Sequence, residues 1–539
     1  MLTRLDKHRA TLAAVSVTTV GALVWLLLKP HTADMAAQVF RSESFADNGP
    51  QIWNGQWYGG HYLPSYSVLS PALGAFMGAW LAGAVAAVLA AWALATLARA
   101  ATTDQRASLI AALLFASGCL AALFSGRTTY LLGLAFGAAA LAALLNDRSW
   151  KSWAPLAFLT SLASPVAAAF LGLCAIARLN RKGIAVALVA GTPLIVFSVL
   201  FPDGGTQPFT WEAFIPVVIA CVLTLALTSS DQKCIRVGAL LYLLATVFVF
   251  IVPTPIGSNI TRLGQLAAGP VAAIVLIPAA RTKIFLFLLP FVLLWQWTAP
   301  VVDVQRAVKD EHSRTRAFYT PLISQIRARG EDAGRVEIIW TRGHWEDAYV
   351  AKTIPLARGW ERQLDRKFNS TVNGPLIAPA AYRKWIDALS VRWVALPTAQ
   401  LDSAVEGEAA LVSRGLPWLK PVWQSKDWKL FAVANPTPIA AGISDSVTVE
   451  TRVLGPETVS LVIPPQQASH PGPVHIGVSV RWSPWWWIEG SQGCLRELDN
   501  TGFTELVVDG NVLNTGAKLK LSVGRSPKPR VKCDAPAGN

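Results

Sequence analysis

The chain has 539 residues, of which 53% are apolar and only 15% charged, and its mean hydropathy is +0.41. That balance excludes an ordinary soluble chain of this length and identifies an integral membrane protein. The net charge of +14 does not point to nucleic acid: 18 basic against 9 acidic residues fall in positions 1–300, where they follow membrane topology, and no basic helix or RNA-binding motif accompanies them.

A helix needs about 20 apolar residues to span the hydrocarbon. Runs approaching that length lie near 12–28, 71–98, 107–124, 130–145, 153–177, 183–201, 211–229, 237–252, 264–280 and 284–300. Lys and Arg are retained on the cytoplasmic side, so Arg4, Lys7 and Arg9 put the N-terminus inside. The pairs Arg99 and Arg106, Arg148 and Lys151, Lys233 and Arg236, and Arg281 and Lys283, with the group Arg178, Arg181 and Lys182, mark further cytoplasmic loops. The run 153–177 would separate two cytoplasmic loops, and Ser164-Pro165 at its middle predicts a re-entrant or bent helical pair. Nine true spans then leave the C-terminal 240 residues outside. The first run has a long apolar core with no small-x-small cleavage site after it, so it reads as a retained span rather than a secretion signal. Cys119, Cys174, Cys221 and Cys234 fall in or beside these runs as small packing residues.

Beyond the membrane part (1–300), residues 301–332 read as a connecting polar helix. Residues 333–435 alternate between strands (335–340, 391–396, 428–433) and helical patterns (344–353, 378–390, 403–414), which predicts a small α/β domain. Residues 436–539 carry short strands near 446–453, 457–463, 474–482, 503–508 and 519–523, separated by Gly-Pro, Pro-Gly and Asp-Gly turns, as in a β-sandwich. Cys494 and Cys533 lie together in this stretch on the oxidising side and are expected to form a disulfide; zinc is not expected there, without His or Cys at ligand spacing. Trp482, Trp485, Trp486 and Trp487 offer a stacking face for sugar or an ordinary core. His344, Trp345, Glu346 and Asp347 open a helix that is expected to face the membrane surface.

Function is most legible in the first outer loop. Asp34 lies six residues past Leu28, the end of the first apolar run, and Met35, Ala36, Ala37, Val39 and Phe40 follow in an interfacial amphipathic pattern. An acid there either caps the helix or, held at the membrane boundary, deprotonates a hydroxyl that attacks an activated sugar. Glu43 and Asp47 are weaker acids of the same loop. Trp53, Trp57, His61 and Tyr62, interleaved with Gly55, Gly59 and Gly60, read as a loop folded back to line a cavity or as part of an aromatic belt. Arg127 (SGRTTY) and Arg262 (SNITRLG) break the positive-inside bias at the outer ends of two helices, either to hold a phosphate or to pair with a loop acid.

Asp34, the WNGQWYGGH loop after it and the many-helix architecture with an outer soluble domain together resemble integral-membrane glycosyltransferases of the GT-C class. The segments GHWEDAYVAKTIPLARGWERQLDRKFN and RWVALP are similar to uncharacterised actinobacterial membrane proteins of this plan. The resemblance implies a polytopic α-helical protein of the bacterial cytoplasmic membrane, with about 9–10 membrane segments and extracytoplasmic α/β and β-sandwich domains. It further implies a polyprenyl-phosphate sugar donor, a cell-envelope glycan acceptor and Asp34 as the base, with Arg127, Arg262, His61, Trp53, Trp57, Tyr62 and Glu43 binding donor or acceptor. A divalent metal requirement stays open. The adjacent acid pair familiar in that class is absent, because Ala33 and Met35 flank Asp34. A non-catalytic envelope-assembly protein is therefore one alternative, and a transporter or flippase of lipid-linked glycans is another; the latter would favour ionisable residues within the spans and internal repeats, and neither is found.

Overall fold

The structure is a computed structural model that describes residues 2–330, 334–443, 447–466, 472–489, 493–499, 501–524 and 533, with side chains described from residue 8. Contacts divide the chain into two compact units. The first holds residues 1–49, 64–311 and 362–364; the second holds 50–63, 312–361 and 365–539.

The first unit is helical: α1 (Leu2–Leu28), α2 (Ala33–Asn48), α3 (Leu69–Met77), α4 (Ala79–Ala101), α5 (Gln105–Phe124), α6 (Thr128–Leu145), α7 (Trp150–Ala163), α8 (Pro165–Ile176), α9 (Arg181–Leu200), α10 (Trp211–Leu227), α11 (Lys233–Ile251), α12 (Thr261–Leu276) and α13 (Thr282–Lys309). Among the described residues, seven of these are long and apolar enough to cross a membrane, and α8 and α10 are shorter apolar helices. Large apolar side chains point outward, among them Leu27, Ile195, Val199, Phe248, Ile251, Phe287 and Leu294. Such faces suit hydrocarbon rather than water, and this is a multi-pass membrane protein. The interior of α4 is built mainly from alanines, and those of α5 and α6 mix alanine and glycine with larger residues; the small side chains let helices approach closely where lipid offers no hydrophobic drive for association.

Two apolar runs are broken. The run 71–98 divides at Gly78 into α3 and α4, and 153–177 divides at Ser164, whose hydroxyl accepts from the Ala167 N–H to cap α8 while Pro165 occupies its first turn. Neither α7 nor α8 reaches spanning length, which matches the expected helical pair. At the far end, α13 runs without interruption from Thr282 to Lys309, so the predicted boundary at residue 300 falls inside a helix.

The second unit begins with a two-stranded ladder, β1 (Trp53–Asn54) and β2 (His61–Tyr62), inserted from the loop after α2. Its α/β part contains α14 (Arg316–Ala328), β3 (Arg335–Ile338), α15 (Glu346–Tyr349), α16 (Arg362–Phe368, whose first turn belongs to the helical unit), α17 (Pro379–Ala388), β4 (Val391–Pro397), α18 (Glu406–Ser413), β5 (Leu419–Gln424) and β6 (Trp428–Val433). The sheet order is β3-β4-β6-β5, with β3 and β4 parallel and the remaining pairs antiparallel. The sandwich contains β7 (Ala440–Gly442), β8 (Glu450–Leu454), β9 (Thr458–Ile463), β10 (Val474–Arg481), β11 (Trp486–Glu489), β12 (Cys494–Leu498), β13 (Phe503–Val508), a short α19 (Val512–Thr515) and β14 (Ala517–Val523). Its sheets are ordered β12-β13-β10-β7 and β11-β14-β9-β8. Strand β10 alternates buried and half-buried residues throughout, as one face on a core requires. Cys494 and Cys533 are joined, with Cα atoms 5.5 Å apart. Trp485 and Trp486 are buried in this core and Trp487 is half-buried.

Within the sandwich, Glu505 on β13 is only 3% exposed and accepts from Arg496 Nε at 2.6 Å, Arg496 Nη2 at 3.1 Å and His475 Nδ1 at 2.6 Å. Burial pushes its carboxyl up, but those donors outweigh burial and hold it below the usual glutamate value. A carboxylate lowered in the folded state adds stability above its unfolded pKa, and that stability is lost as pH falls through the folded value. Glu505→Gln is therefore expected to cost about 1.5–3 kcal/mol near neutrality. The gap to the parent protein should narrow as pH drops below about 4.3. Thermal unfolding of the full chain as a function of pH checks this; a gap that widens in acid contradicts it.

Candidate functional site

Helix α2 starts five residues after α1 ends, with Thr32 in extended conformation at its cap. Asp34 sits in the first turn, where the helix dipole favours a negative charge, and it is not the capping residue. Met35, Ala36, Ala37 and Phe40 are buried and Val39 is half-buried, but Gln38 and Arg41 are buried as well, so the polar side of the stretch is also packed. Positions 34, 38 and 41 share one face of α2 at i, i+4 and i+7, so Asp34, Gln38 and Arg41 form a polar stripe. Glu43 lies nine residues from Asp34, half a turn out of phase and on the opposite face, and does not join it.

The turn before α6 is docked on the start of α2. Gly126 has φ +80°, and a Cβ there would meet Thr32 Oγ1 at 2.7 Å and the Met35 N at 3.0 Å. This close approach brings Arg127 Nε to 4.0 Å from Asp34 Oδ2, with side chains 20% and 40% exposed. Arg262, at the start of α12, lies over the Tyr130 ring at 5.6 Å and within electrostatic reach of Arg127, Asp34 and Tyr66. Arg41 stacks on Tyr66 at 3.7 Å, and Gln38 donates to the Tyr66 hydroxyl at 3.1 Å. Asp303, near the end of α13, accepts from Ser125 Oγ at 2.9 Å and feels both Arg127 and Asp34. Three arginines, two aspartates and two tyrosines thus converge at one end of the bundle.

Behind them lies a series of cavities. Arg127, Tyr130, Arg262, Gln265, Leu266 and Gln296 line a cleft of about 20 Å³. Leu266 also borders an apolar cavity of about 100 Å³, which shares Leu97, Phe115, Leu141, Cys174, Leu263 and Ala267 with a third of about 260 Å³. The lining is polar at the arginines and apolar beyond them.

The aromatic loop has a different fate from the one expected. Trp53, Trp57, His61 and Tyr62 belong to the second unit and are 0–5% exposed. Trp57 stacks on His61 at 5.4 Å, His61 Nδ1 meets the Asn54 carbonyl at 3.1 Å, and Tyr62 donates to Ser483 Oγ at 2.8 Å. Gly60, at φ +126°, has the Trp53 ring against the place a Cβ would take, so the glycines serve a tight turn over an indole. These side chains form packed core rather than a cavity lining, because their partners come from distant sandwich and α/β segments.

The second unit holds its own ionisable cluster. Arg358 donates from Nε and Nη2 to Asp365 at 2.9 and 2.8 Å and from Nη1 to Glu408 at 3.1 Å. All three are at most 1% exposed. Burial drives the Glu337 and Asp347 carboxyls well above the usual range, aided by neighbouring carboxylates. Burial also pushes Glu346 up to about 7, against bonds from Thr341 and Tyr319 that favour its charge. The expectation that residues 344–347 open a surface helix is corrected: His344, Trp345, Glu346 and Asp347 are all buried, because the four-residue α15 turns its carboxylates inward.

No protein-family model and no curated protein matches this chain. Among solved structures, it is similar to ArnT from Cupriavidus metallidurans in the apo state, with 14% identity, coverage of 80% of this chain and 100% of that one, and a TM-score of 0.38. The same protein bound to undecaprenyl phosphate gives 14% identity, coverage of 78% and 99%, and a TM-score of 0.38. Both likenesses are low, and neither assigns a residue.

Proposed function

We propose that this protein is a glycosyltransferase of the GT-C kind in the bacterial cytoplasmic membrane, transferring a sugar from a polyprenyl-phosphate donor to a cell-envelope acceptor on the outer face. The observation that carries the proposal is the Asp34–Arg127–Arg262 group at the polar end of cavities that become apolar beyond it. A polyprenyl phosphate has the same order of parts, an anionic head and a hydrocarbon tail. In this reading Asp34 takes the proton of the acceptor hydroxyl as its oxygen attacks the anomeric carbon. The bond from that carbon to the phosphate oxygen breaks, and Arg127 and Arg262 meet the charge left on the polyprenyl phosphate. Asp303 supplies a second acid from a different helix, which answers the lack of an adjacent pair in the sequence.

The test is sugar transfer by the purified full chain in detergent, from a panel of polyprenyl-phosphate sugars. Turnover with one donor supports the proposal. Binding without transfer moves the protein to the envelope-assembly alternative, and absence of binding removes the lipid-phosphate reading.

A further inference from the structure

We infer that His344, Glu346 and Asp347 form a buried binding site for a divalent transition ion, with zinc the best match, in the α/β part of the second unit. One ligand atom from each residue lies within 4.8 Å of the others, and all three residues are at most 1% exposed. Nothing in the proposed transfer reaction uses them.

The second observation is Asp347 itself. Its side chain is wholly buried, and neither carboxylate oxygen has a hydrogen bond among the described residues. The Trp360 backbone N–H tempers its charge without meeting hydrogen-bond geometry. A buried carboxylate beside an imidazole and a second carboxylate, with no partner in hydrogen-bond geometry among the described residues, is in the position of a metal ligand.

The surroundings fit the same role. His344 Nε2 faces Asp402 Oδ2 at 3.2 Å, and Nδ1 faces Glu346 Oε1 at 3.9 Å. A carboxylate on one ring nitrogen selects the tautomer that presents the other to a metal. The imidazole is further held by stacking on Trp360, with ring centroids 3.5 Å apart. Glu346 is oriented by Thr341 N at 3.1 Å, Thr341 Oγ1 at 2.7 Å and Tyr319 Oη at 3.0 Å, and its oxygens keep lone pairs beyond those bonds. Ligands on zinc at tetrahedral angles stand roughly 3.3–3.6 Å apart, so binding draws the cluster inward by about 1 Å. One imidazole nitrogen and two carboxylates suit zinc better than calcium, which takes six to eight oxygens.

The full chain, purified from zinc-supplemented medium with a histidine-free tag, is expected to carry about one zinc per chain by elemental analysis. Asp347→Asn and His344→Gln should each lower that content at least tenfold. Glu337→Gln, which alters a buried carboxylate outside the three-residue group, should leave it unchanged. Metal-free parent protein, or an Asp347→Asn variant with as much metal as the parent, overturns the inference. If the variants do not accumulate, zinc-edge absorption of the parent decides: a nitrogen and oxygen shell with one imidazole supports the site, and sulfur ligation overturns it.

Discussion

Asp34→Asn is expected to lower sugar transfer by about 10²–10⁴-fold while leaving the protein folded, because a positioned base contributes on that order and the amide cannot take the acceptor proton. The substitution is nearly isosteric, and the side chain it alters is 40% exposed and paired with Arg127 only at 4.0 Å. Losing an ion pair of that exposure costs at most about 1 kcal/mol, so lost turnover would not be lost fold. The measurement is kcat with the donor that the parent protein turns over, alongside the melting temperature of each variant. Unchanged kcat removes Asp34 from the chemistry. Asp303→Asn belongs in the same experiment, because it shares the electrostatic neighbourhood: loss there with Asp34→Asn intact transfers the base role to α13.

Arg358→Met should destabilise the second unit by about 3–5 kcal/mol, the cost of leaving buried carboxylates without their counter-charge. Its guanidinium forks onto Asp365, reaches Glu408 and the Asn373 side chain, and lies 3.9 Å over the Trp340 ring. Methionine keeps much of the stem's packing and supplies no donor. The neighbouring carboxylates hold the guanidinium above its ordinary pKa against the pull of burial, so it is charged at every pH of interest. Adding Glu408→Gln to Arg358→Met should recover part of the loss, since one stranded charge is then removed. Thermal or denaturant unfolding of the full chain reads both. A cost under about 1 kcal/mol for Arg358→Met would mean that the network is hydrated or already protonated.

Several features were legible in the chain because they depend on neighbours a few residues away. Membrane class and most segment positions follow from local runs of apolar residues. The break at Ser164-Pro165 follows from proline's missing N–H and serine's capping oxygen. Strands β3, β4, β6, β8, β9, β10, β13 and β14 overlap the predicted strands, whereas β1, β2, β5, β7, β11 and β12 were not anticipated. Strand β5 has no alternating burial to signal it, with Lys420, Pro421 and Val422 all exposed. The amphipathic start of α2 was visible, and so were Asp34, Arg127 and Arg262. The stripe joining Asp34 to Arg41 was also present, at i and i+7, but it means something only once the segment is known to be a helix.

Long-range packing decided the rest. Residues 50–63 are near the first span in sequence, yet Tyr62 bonds to Ser483 and the Gly55 N–H to the Pro456 carbonyl, which turns an apparent cavity loop into core. Asp303 reads as part of a polar connector until α13 continues through it and carries it to Ser125. The acids of α15 read as a surface helix until α14 packs on it and Tyr319 and Thr341 bond to Glu346, leaving Glu346 and Asp347 buried. The sequence alone determined where the chain must avoid water, since hydrophobicity is a property of each residue. Which charges meet, and which are buried, was left to the tertiary structure, because electrostatic partners are chosen by distance in space rather than along the chain.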